Sequence, residues 1–135
     1  MSADHAAVTR LVEDFLAAFV SGPDAVARAA TLHDLLLPQA VVVRTCGEEP
    51  QVLDVDSFVA PRADLLSSGR LSDFREWPTE VAVEVFGDVA QAWVAYAKSW
   101  REGEIEHAGT GAKSVQAVRT GAGWRISAVA WDDER

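Results

Sequence analysis

The spacing of apolar residues divides the chain into an N-terminal half with helical periodicity and a C-terminal half with strand periodicity. Residues 4–21 carry apolar side chains at steps of three and four, which is the stripe of an amphipathic helix. Gly22-Pro23 ends that helix, because glycine suits a left-handed C-terminal cap and proline cannot continue the hydrogen bonds. A second, alanine-rich helix is predicted over Asp24–Leu36, with Pro38 ending it.

The middle of the chain alternates between short strands and one more helix. Ala40–Thr45 is rich in β-branched residues and predicts a short strand, and Gln51–Val55 is expected to pair back on it. A third helix is predicted over residues 56–68, with Pro61 in its first turn, where proline is tolerated. The N-terminal half therefore contributes three helices and a small part of a sheet.

After the third helix, apolar residues recur about every 2 residues instead of about every 3.6, as in strands. Short glycine-containing turns separate these strand-like segments. Such turns favour consecutive antiparallel hairpins, and a meander of long strands twists and curls. Helices against the concave face would form a cone with an open end. The sequence thus predicts a single α+β domain over residues 1–135, with three helices covering a strongly curved, mostly antiparallel sheet. Its long strands are Asp73–Phe86, Val89–Arg101, Ile105–Arg119 and Trp124–Asp132.

Composition narrows the classes of partner and compartment. The 135 residues carry a formal charge of −9 with dispersed cations, which argues against nucleic acid and anionic membrane surfaces as partners. Cys46 is the single cysteine, so no intramolecular disulfide can form. The N-terminus lacks a signal-peptide pattern, and no apolar run approaches the ~20 residues that span a bilayer. We expect a cytoplasmic protein.

Three motifs follow one another along the predicted strands and support a family resemblance. They are Trp93…Tyr96, Gly111…Ser114…Gln116 and Gly123-Trp124-Arg125-Ile126. With the order of helices and strands, they resemble the nuclear transport factor 2-like (NTF2-like) superfamily, most of all its small bacterial SnoaL-like members. That family includes steroid isomerases, polyketide cyclases, dehydratases, epoxide hydrolases and members with no known chemistry. The resemblance implies a cone with a ligand-sized cavity and no single mechanism.

The residues that carry isomerase chemistry in this superfamily are not matched. The steroid isomerases use an Asp base, which faces a Tyr and a second Asp that stays protonated because its pKa is raised. Here the first helix offers Phe15 and Phe19, the first strand has Arg44 and no carboxylate, and Tyr96 is the single tyrosine. Some relatives place a His two residues before the glycine matched by Gly111, where this chain has glycine. An isomerase of that type is not expected.

Candidate groups for proton transfer are few. His33 and Asp34 lie next to each other late in the second predicted helix, and either they or Tyr96 are the candidate catalytic residues. The alternative for His33 is a packed or surface imidazole. The histidines and Cys46 share no ligand spacing, so neither a metal site nor a cofactor is predicted.

Arg44 and Lys113 interrupt otherwise apolar or small strand segments, and two placements are open for each. Either the side chain is solvated on the outer face, or it faces the cone. A buried Arg44 would need an anionic ligand or a carboxylate such as Asp34 or Glu84. Both cations join the predicted ligand-binding set, which is Phe15, Phe19, Arg44, Trp93, Lys113 and Trp131.

Trp93 and Tyr96 have opposite strand parity, so they face opposite sides of the sheet unless a bulge intervenes. An outer face that carries aromatic residues is typical of a dimer surface. Three hypotheses remain: a protein that binds a small apolar or aromatic molecule in the cone; a cyclase, dehydratase or isomerase acting on a cyclic carbonyl compound; and a homodimeric interaction module with a filled cone.

Overall fold

The computed structural model describes residues 2–135, in which helices cover one face of a six-stranded sheet. No helix in that range is both long and apolar enough to cross a membrane. The helices are α1 (Ala3–Ala17), α2 (Ala25–Ala30), α3 (Leu32–Leu35) and α4 (Val55–Ser67). The strands are β1 (Leu36–Arg44), β2 (Gln51–Leu53), β3 (Ser72–Phe86), β4 (Val89–Glu102), β5 (Ile105–Thr120) and β6 (Gly123–Asp133).

The long strands lie where the two-residue period predicts them, each within two residues at either end. The sheet order is β2-β1-β6-β5-β4-β3, and only the β1–β6 pair is parallel. Register shifts in β1, β3 and between β5 and β6 bend the sheet, because a bulge increases local twist. The predicted α+β fold with a curved, mostly antiparallel sheet is confirmed.

Strand alternation decides which side chains face the helices. On β4, Ala92, Val94 and Tyr96 are buried, whereas Gln91 and Trp93 point outwards. The buried side chains join the apolar stripe of α1 in one core cluster. The concave face of the sheet is therefore the covered one.

The prediction of one continuous second helix over Asp24–Leu36 is wrong in its extent. That segment is divided at Thr31 into α2 and α3, and β1 already begins at Leu36, so Pro38 lies in a strand and not at a helix end. The Thr31 hydroxyl donates to the carbonyl of Arg28 at 2.6 Å, where it competes with helical hydrogen bonding. Pro38 is tolerated because the pairing of β1 with β6 shifts register between Leu36 and Val41.

Helix α4 begins earlier than predicted because its cap is Asp54. The Ser57 amide donates to Asp54 Oδ1 at 2.8 Å and the Asp54 amide donates to Ser57 Oγ at 3.1 Å, which forms a capping box. Pro61 consequently lies in the second turn and not the first. This phase directs Phe58 and Arg62, one turn apart, towards the cone.

Candidate functional site

A cavity of about 300 Å³ lies at the open end of the cone, between α4, the segment after α1 and the sheet. Its walls are mainly apolar, with aromatic side chains from several elements. Phe19 follows α1, Phe58 comes from α4, Phe74 from β3 and Trp131 from β6. The volume is at the lower end of the range of ~300–1,000 Å³ that is typical of small-molecule sites.

Tyr96 and Asp133 form a hydrogen-bonded pair in the cavity wall. In register, Gly111 on β5 lies between Tyr96 on β4 and Asp133 on β6. The Tyr96 side chain crosses over this glycine, and its hydroxyl donates to Asp133 Oδ1. Lys98 Nζ donates to Oδ2 of the same carboxylate at 2.9 Å. A Cβ at position 111 would lie 2.5 Å from the Tyr96 hydroxyl oxygen, so the pair requires glycine there.

The pair is a neutral phenol and an ionised carboxylate at neutral pH. Burial, the hydrogen bond to Asp133 and the negative charge of that carboxylate all raise the pKa of Tyr96. Burial opposes ionisation of Asp133, but hydrogen bonds from Tyr96 and Lys98 outweigh it and lower the pKa of the carboxyl. The Asp133 carboxylate is therefore stabilised as an acceptor.

Lys113 and Glu76 form a second, more deeply buried ion pair. Lys113 Nζ lies 2.8 Å from Glu76 Oε1, and the two side chains are only 6% and 9% exposed. The ammonium also lies 4.2 Å from the centroid of the Tyr96 ring and 4.8 Å from that of Trp131. Burial lowers the pKa of Lys113 and the Glu76 carboxylate opposes that shift. This lysine faces the cone, and its carboxylate partner comes from β3.

Arg62 is held between aromatic rings. Its guanidinium carbon lies 4.3 Å from the Phe58 ring centroid and 5.3 Å from that of Trp131, and Nη1 donates to the Phe58 carbonyl at 3.0 Å. Burial, followed by the charge of Arg44, lowers the pKa of Arg62 to about 10. Arg44 itself contacts Glu48 at 3.6 Å, on the exposed turn after β1. Neither predicted carboxylate partner of Arg44, Asp34 or Glu84, pairs with it among the described residues.

The structure brings most of the predicted ligand-binding residues together. The cavity is lined by five of the residues singled out in the sequence, which are Phe19, Arg44, Tyr96, Lys113 and Trp131. The prediction that Phe15 belongs to the ligand-binding set is wrong, because Phe15 is buried behind the cavity wall. Its ring stacks on Phe58 with centroids 6.2 Å apart and meets Phe19 edge-on at 5.4 Å, so it supports the wall.

Three predicted site residues lie outside the cavity. Trp93 is 60% exposed on the outer face, as its parity relative to Tyr96 requires, and it does not line the cavity. His33 and Asp34 are both exposed on α3, because this short helix buries Leu32 on its inward side. His33 instead borders a separate surface depression. His33 and Asp34 therefore lie outside the cavity, and of the three candidate catalytic residues Tyr96 alone lines it.

Four charged residues of the cavity are absent from the set predicted from sequence: Arg62, Glu76, Lys98 and Asp133. Parity alone could have found Lys98, which lies two residues after Tyr96 on the same strand face. Among residues 2–135, no three His, Cys, Asp or Glu side chains are grouped in a way that could hold a metal ion.

No protein-family model and no curated protein sequence matches the chain. Solved structures do match over nearly its whole length. An NTF2-like protein with a cystatin-like fold from Novosphingobium aromaticivorans has a TM-score of 0.72 and 18% identity, covering 96% of this chain and 81% of that one. An NTF2-like superfamily protein from Salmonella enterica has a TM-score of 0.72 and 14% identity, covering 95% and 89%.

A third structure, an NTF2-like protein of unknown function from Silicibacter pomeroyi, has a TM-score of 0.66 and 20% identity, covering 96% of this chain and 94% of that one. Identities this low show the architecture and leave chemistry to the residues of the cavity. The chain therefore has the NTF2-like fold, with the cystatin-like arrangement of helices on a curved sheet.

Proposed function

We propose that this chain binds a small apolar or aromatic molecule in the cavity at the open end of the cone. The observation that carries the proposal is the cavity of about 300 Å³ with its aromatic walls. A cavity of that size argues against the alternative in which the cone is packed solid. Cys46 is free and single, which supports action in the cytoplasm.

Isothermal titration calorimetry with neutral aromatic probes, namely indole, coumarin and 2-naphthamide, tests the proposal. We expect saturable binding of at least one probe with one site per chain. Leu71→Trp adds bulk inside the cavity and should abolish that binding. Val26→Trp adds the same ring on the exposed side of α2, away from the cavity, and is the matched control. No saturable heat with any probe, or equal binding by both variants, would contradict the proposal.

A second candidate is proton transfer on a cyclic carbonyl compound, as in a cyclase, dehydratase or isomerase. The observation that favours it is the Asp133 carboxylate in the cavity wall beside the Tyr96 hydroxyl. Asp133 would take the proton, and the O–H of Tyr96 would turn from Asp133 to donate to the substrate oxygen. This assignment replaces His33 and Asp34.

Exchange of the α-protons of 2-tetralone in D₂O, followed by NMR, measures that activity. If the candidate is right, Asp133→Asn removes exchange catalysis while 2-tetralone still binds. A His33→Ala variant, altered on the exposed surface, should exchange as fast as wild type. An Asp133→Asn variant that keeps the wild-type exchange rate would reject this chemistry.

We also propose that two copies associate through the outer sheet face. Phe86, Val89 and Trp93 are 86%, 55% and 60% exposed on or beside β4, which is an apolar surface of the kind enriched at interfaces. Sedimentation at micromolar concentration should show a dimer, and Trp93→Ser should shift it towards monomer. A wild-type monomer under these conditions would overturn the proposed dimer.

A further inference from the structure

The cavity carries more positive than negative charge, although the chain as a whole is strongly acidic. Its cations are Arg44, Arg62, Lys98 and Lys113, and its carboxylates are Glu76 and Asp133. The chain has a formal charge of −9, so a positive cavity is a local departure from the average surface. Buried positive charge is costly unless a partner compensates it.

The two lysines each have their own carboxylate. Lys98 Nζ lies 2.9 Å from Asp133 Oδ2, and Lys113 Nζ lies 2.8 Å from Glu76 Oε1. Both carboxylates are thereby engaged by lysine. The excess positive charge therefore resides on the two arginines.

Neither arginine is neutralised inside the cavity. Among residues 2–135, Arg62 has no carboxylate within ion-pair distance and bonds instead to the Phe58 carbonyl. The partner of Arg44 is Glu48, at 3.6 Å on a turn where the glutamate side chain is 76% exposed. An ion pair with such an exposed partner is weak. The charge of Arg44 also lowers the pKa of Arg62, and both residues line the same cavity.

The environment of Arg62 favours a planar anion. Phe58 and Trp131 lie over the guanidinium at 4.3 Å and 5.3 Å, and these contacts hold it at the cavity wall. Within the described residues 2–135, only one of its nitrogens, Nη1, has a protein acceptor. A guanidinium presents N–H groups in a fork that matches a carboxylate. The other aromatic side chains of the cavity, Phe19 and Phe74, would at the same time cover an apolar ligand body.

We infer that the ligand is a small aromatic or apolar carboxylate whose anionic group is bound by Arg62 and Arg44 and whose apolar body packs against the remaining aromatic side chains of the wall, Phe19 and Phe74. This inference rests on the proposed ligand-binding function and adds the chemical class of the ligand. An anion at this position relieves the repulsion between the two guanidinium groups.

A matched pair of probes tests the inference in calorimetry. 2-Naphthoate and 2-naphthamide share the same ring system and differ in charge. We expect wild type to bind the carboxylate at least about tenfold more tightly, because a charge-assisted bidentate contact replaces a neutral one. The preference should fall as salt is added.

Three variants locate the preference. Arg62→Met keeps the unbranched stem and should make the affinities for the two probes equal. Arg44→Met, at a half-buried residue, should reduce the preference in part and provides the test if Arg62→Met does not fold. Arg75→Met is the matched control, since Arg75 also stacks on an aromatic ring, Trp77 at 4.3 Å, but does not line the cavity.

The outcomes separate the inference from the proposed function. Equal binding of both probes by wild type would overturn the inference and leave the ligand-binding function intact. A carboxylate preference that survives Arg62→Met and Arg44→Met would place the anion elsewhere and also overturn it. If neither naphthalene probe binds and indole and coumarin also give no saturable heat, the proposed function itself is rejected.

Discussion

The two ends of strand β5 show how one sheet face supports both a core and a cavity. Towards its C-terminal end the inward side chains are Val115 and Ala117, which belong to the core cluster. Towards its N-terminal end the same face carries Gly109, Gly111 and Lys113. At the first end the strand fills space itself. At the second end, its glycines leave room through which Tyr96 and Lys98 of the neighbouring strand β4 cross.

The hydrogen-bonding and charged side chains of the site therefore lie where β5 contributes the least side-chain volume. Lys98 passes over Gly109, where an added Cβ would lie 3.1 Å from Lys98 Cε, and Tyr96 passes over Gly111. Both reach Asp133 on the next strand but one. The glycines are thus part of the site although they carry no functional group.

The largest loss of stability is expected when the buried Lys113–Glu76 ion pair at the open end of the cone is broken. Lys113→Met leaves Glu76 without its cation in an enclosed position and should lower the free energy of unfolding by about 3–4 kcal/mol. Urea unfolding followed by circular dichroism measures the change. The double variant Lys113→Met/Glu76→Leu should recover most of it, because no unpaired charge then remains.

A double variant as unstable as the single one would mean that lost packing, and not the unpaired charge, causes the change. Lys98→Met supplies the graded comparison, since the Lys98–Asp133 pair is more exposed, at 22% and 25%. Its cost should be smaller than that of Lys113→Met. The reverse order would break the argument that burial sets the cost of an unpaired charge.

The next effect is expected at Gly111. In Gly111→Ala the new Cβ would overlap the Asp132 carbonyl oxygen and lie 2.5 Å from the Tyr96 hydroxyl. A backbone atom cannot move aside cheaply, so we expect a loss of about 2 kcal/mol in unfolding free energy. The substitution should also separate Tyr96 from Asp133, which the NMR titration of Asp133 would detect.

Two other glycines calibrate this prediction. Gly109→Ala meets only the end of the flexible Lys98 side chain, at 3.1 Å, and should cost less than Gly111→Ala. Gly121→Ala, in the last turn, has no atom within 4 Å of its new Cβ and should leave unfolding unchanged apart from local propensity. If all three variants lose the same stability, close approach is not the reason for glycine at position 111.

A smaller effect is expected from Tyr96→Phe, which deletes the hydrogen bond to Asp133. The loss of a bond to a charged acceptor should cost about 1.5 kcal/mol near neutral pH. The pKa of Asp133 lies below the ordinary 3.8, so the carboxylate contributes stability that is complete above 3.8 and is lost as pH falls through the folded-state value. Tyr96→Phe should raise that pKa and flatten the acid-side slope.

A ¹³C titration of the Asp133 carboxyl group in wild type and variant measures the shift directly. Lys98→Met should move the pKa in the same direction, since Lys98 is the second donor to this carboxylate. Arg75→Met, an exposed cation away from the cavity, should leave it in place. An unchanged Asp133 pKa in Tyr96→Phe would show that the hydrogen bond does not favour the ionised form.

The long strands are predictable from sequence because their signals are local. A two-residue period and glycine turns define β3 to β6 without reference to tertiary contacts. Parity likewise places Tyr96 and Trp93 on opposite faces of β4. Parity does not say which of the two faces is concave, and the prediction that Trp93 lines the cavity is wrong for that reason.

The cavity charges are not predictable in the same way. Arg62 and Asp133 are far apart in sequence, and only the curvature of the sheet and the phase of α4 bring them to one cavity. That phase depends on a cap at Asp54, one residue before the helix. The prediction for His33 fails because the buried stripe of this segment is Ala25, Ala29 and Leu32, and His33 lies one residue outside it.

The smallest effect is expected at the far end of the sheet, where Arg119 joins the N-terminal helix to the β3–β4 turn. Its guanidinium contacts Asp4 at 2.7 Å and 2.8 Å and Asp88 at 2.9 Å, all on the surface. Because water and salt screen exposed pairs, Arg119→Met should lower the unfolding midpoint less than Lys113→Met, Gly111→Ala or Tyr96→Phe, and about 1 M sodium chloride should remove the difference. Ligand affinity should not change. A loss of stability in Arg119→Met as large as that in Lys113→Met would show that charge pairs at both ends of the sheet stabilise the fold equally. The two ends would then differ only in that one of them forms the cavity.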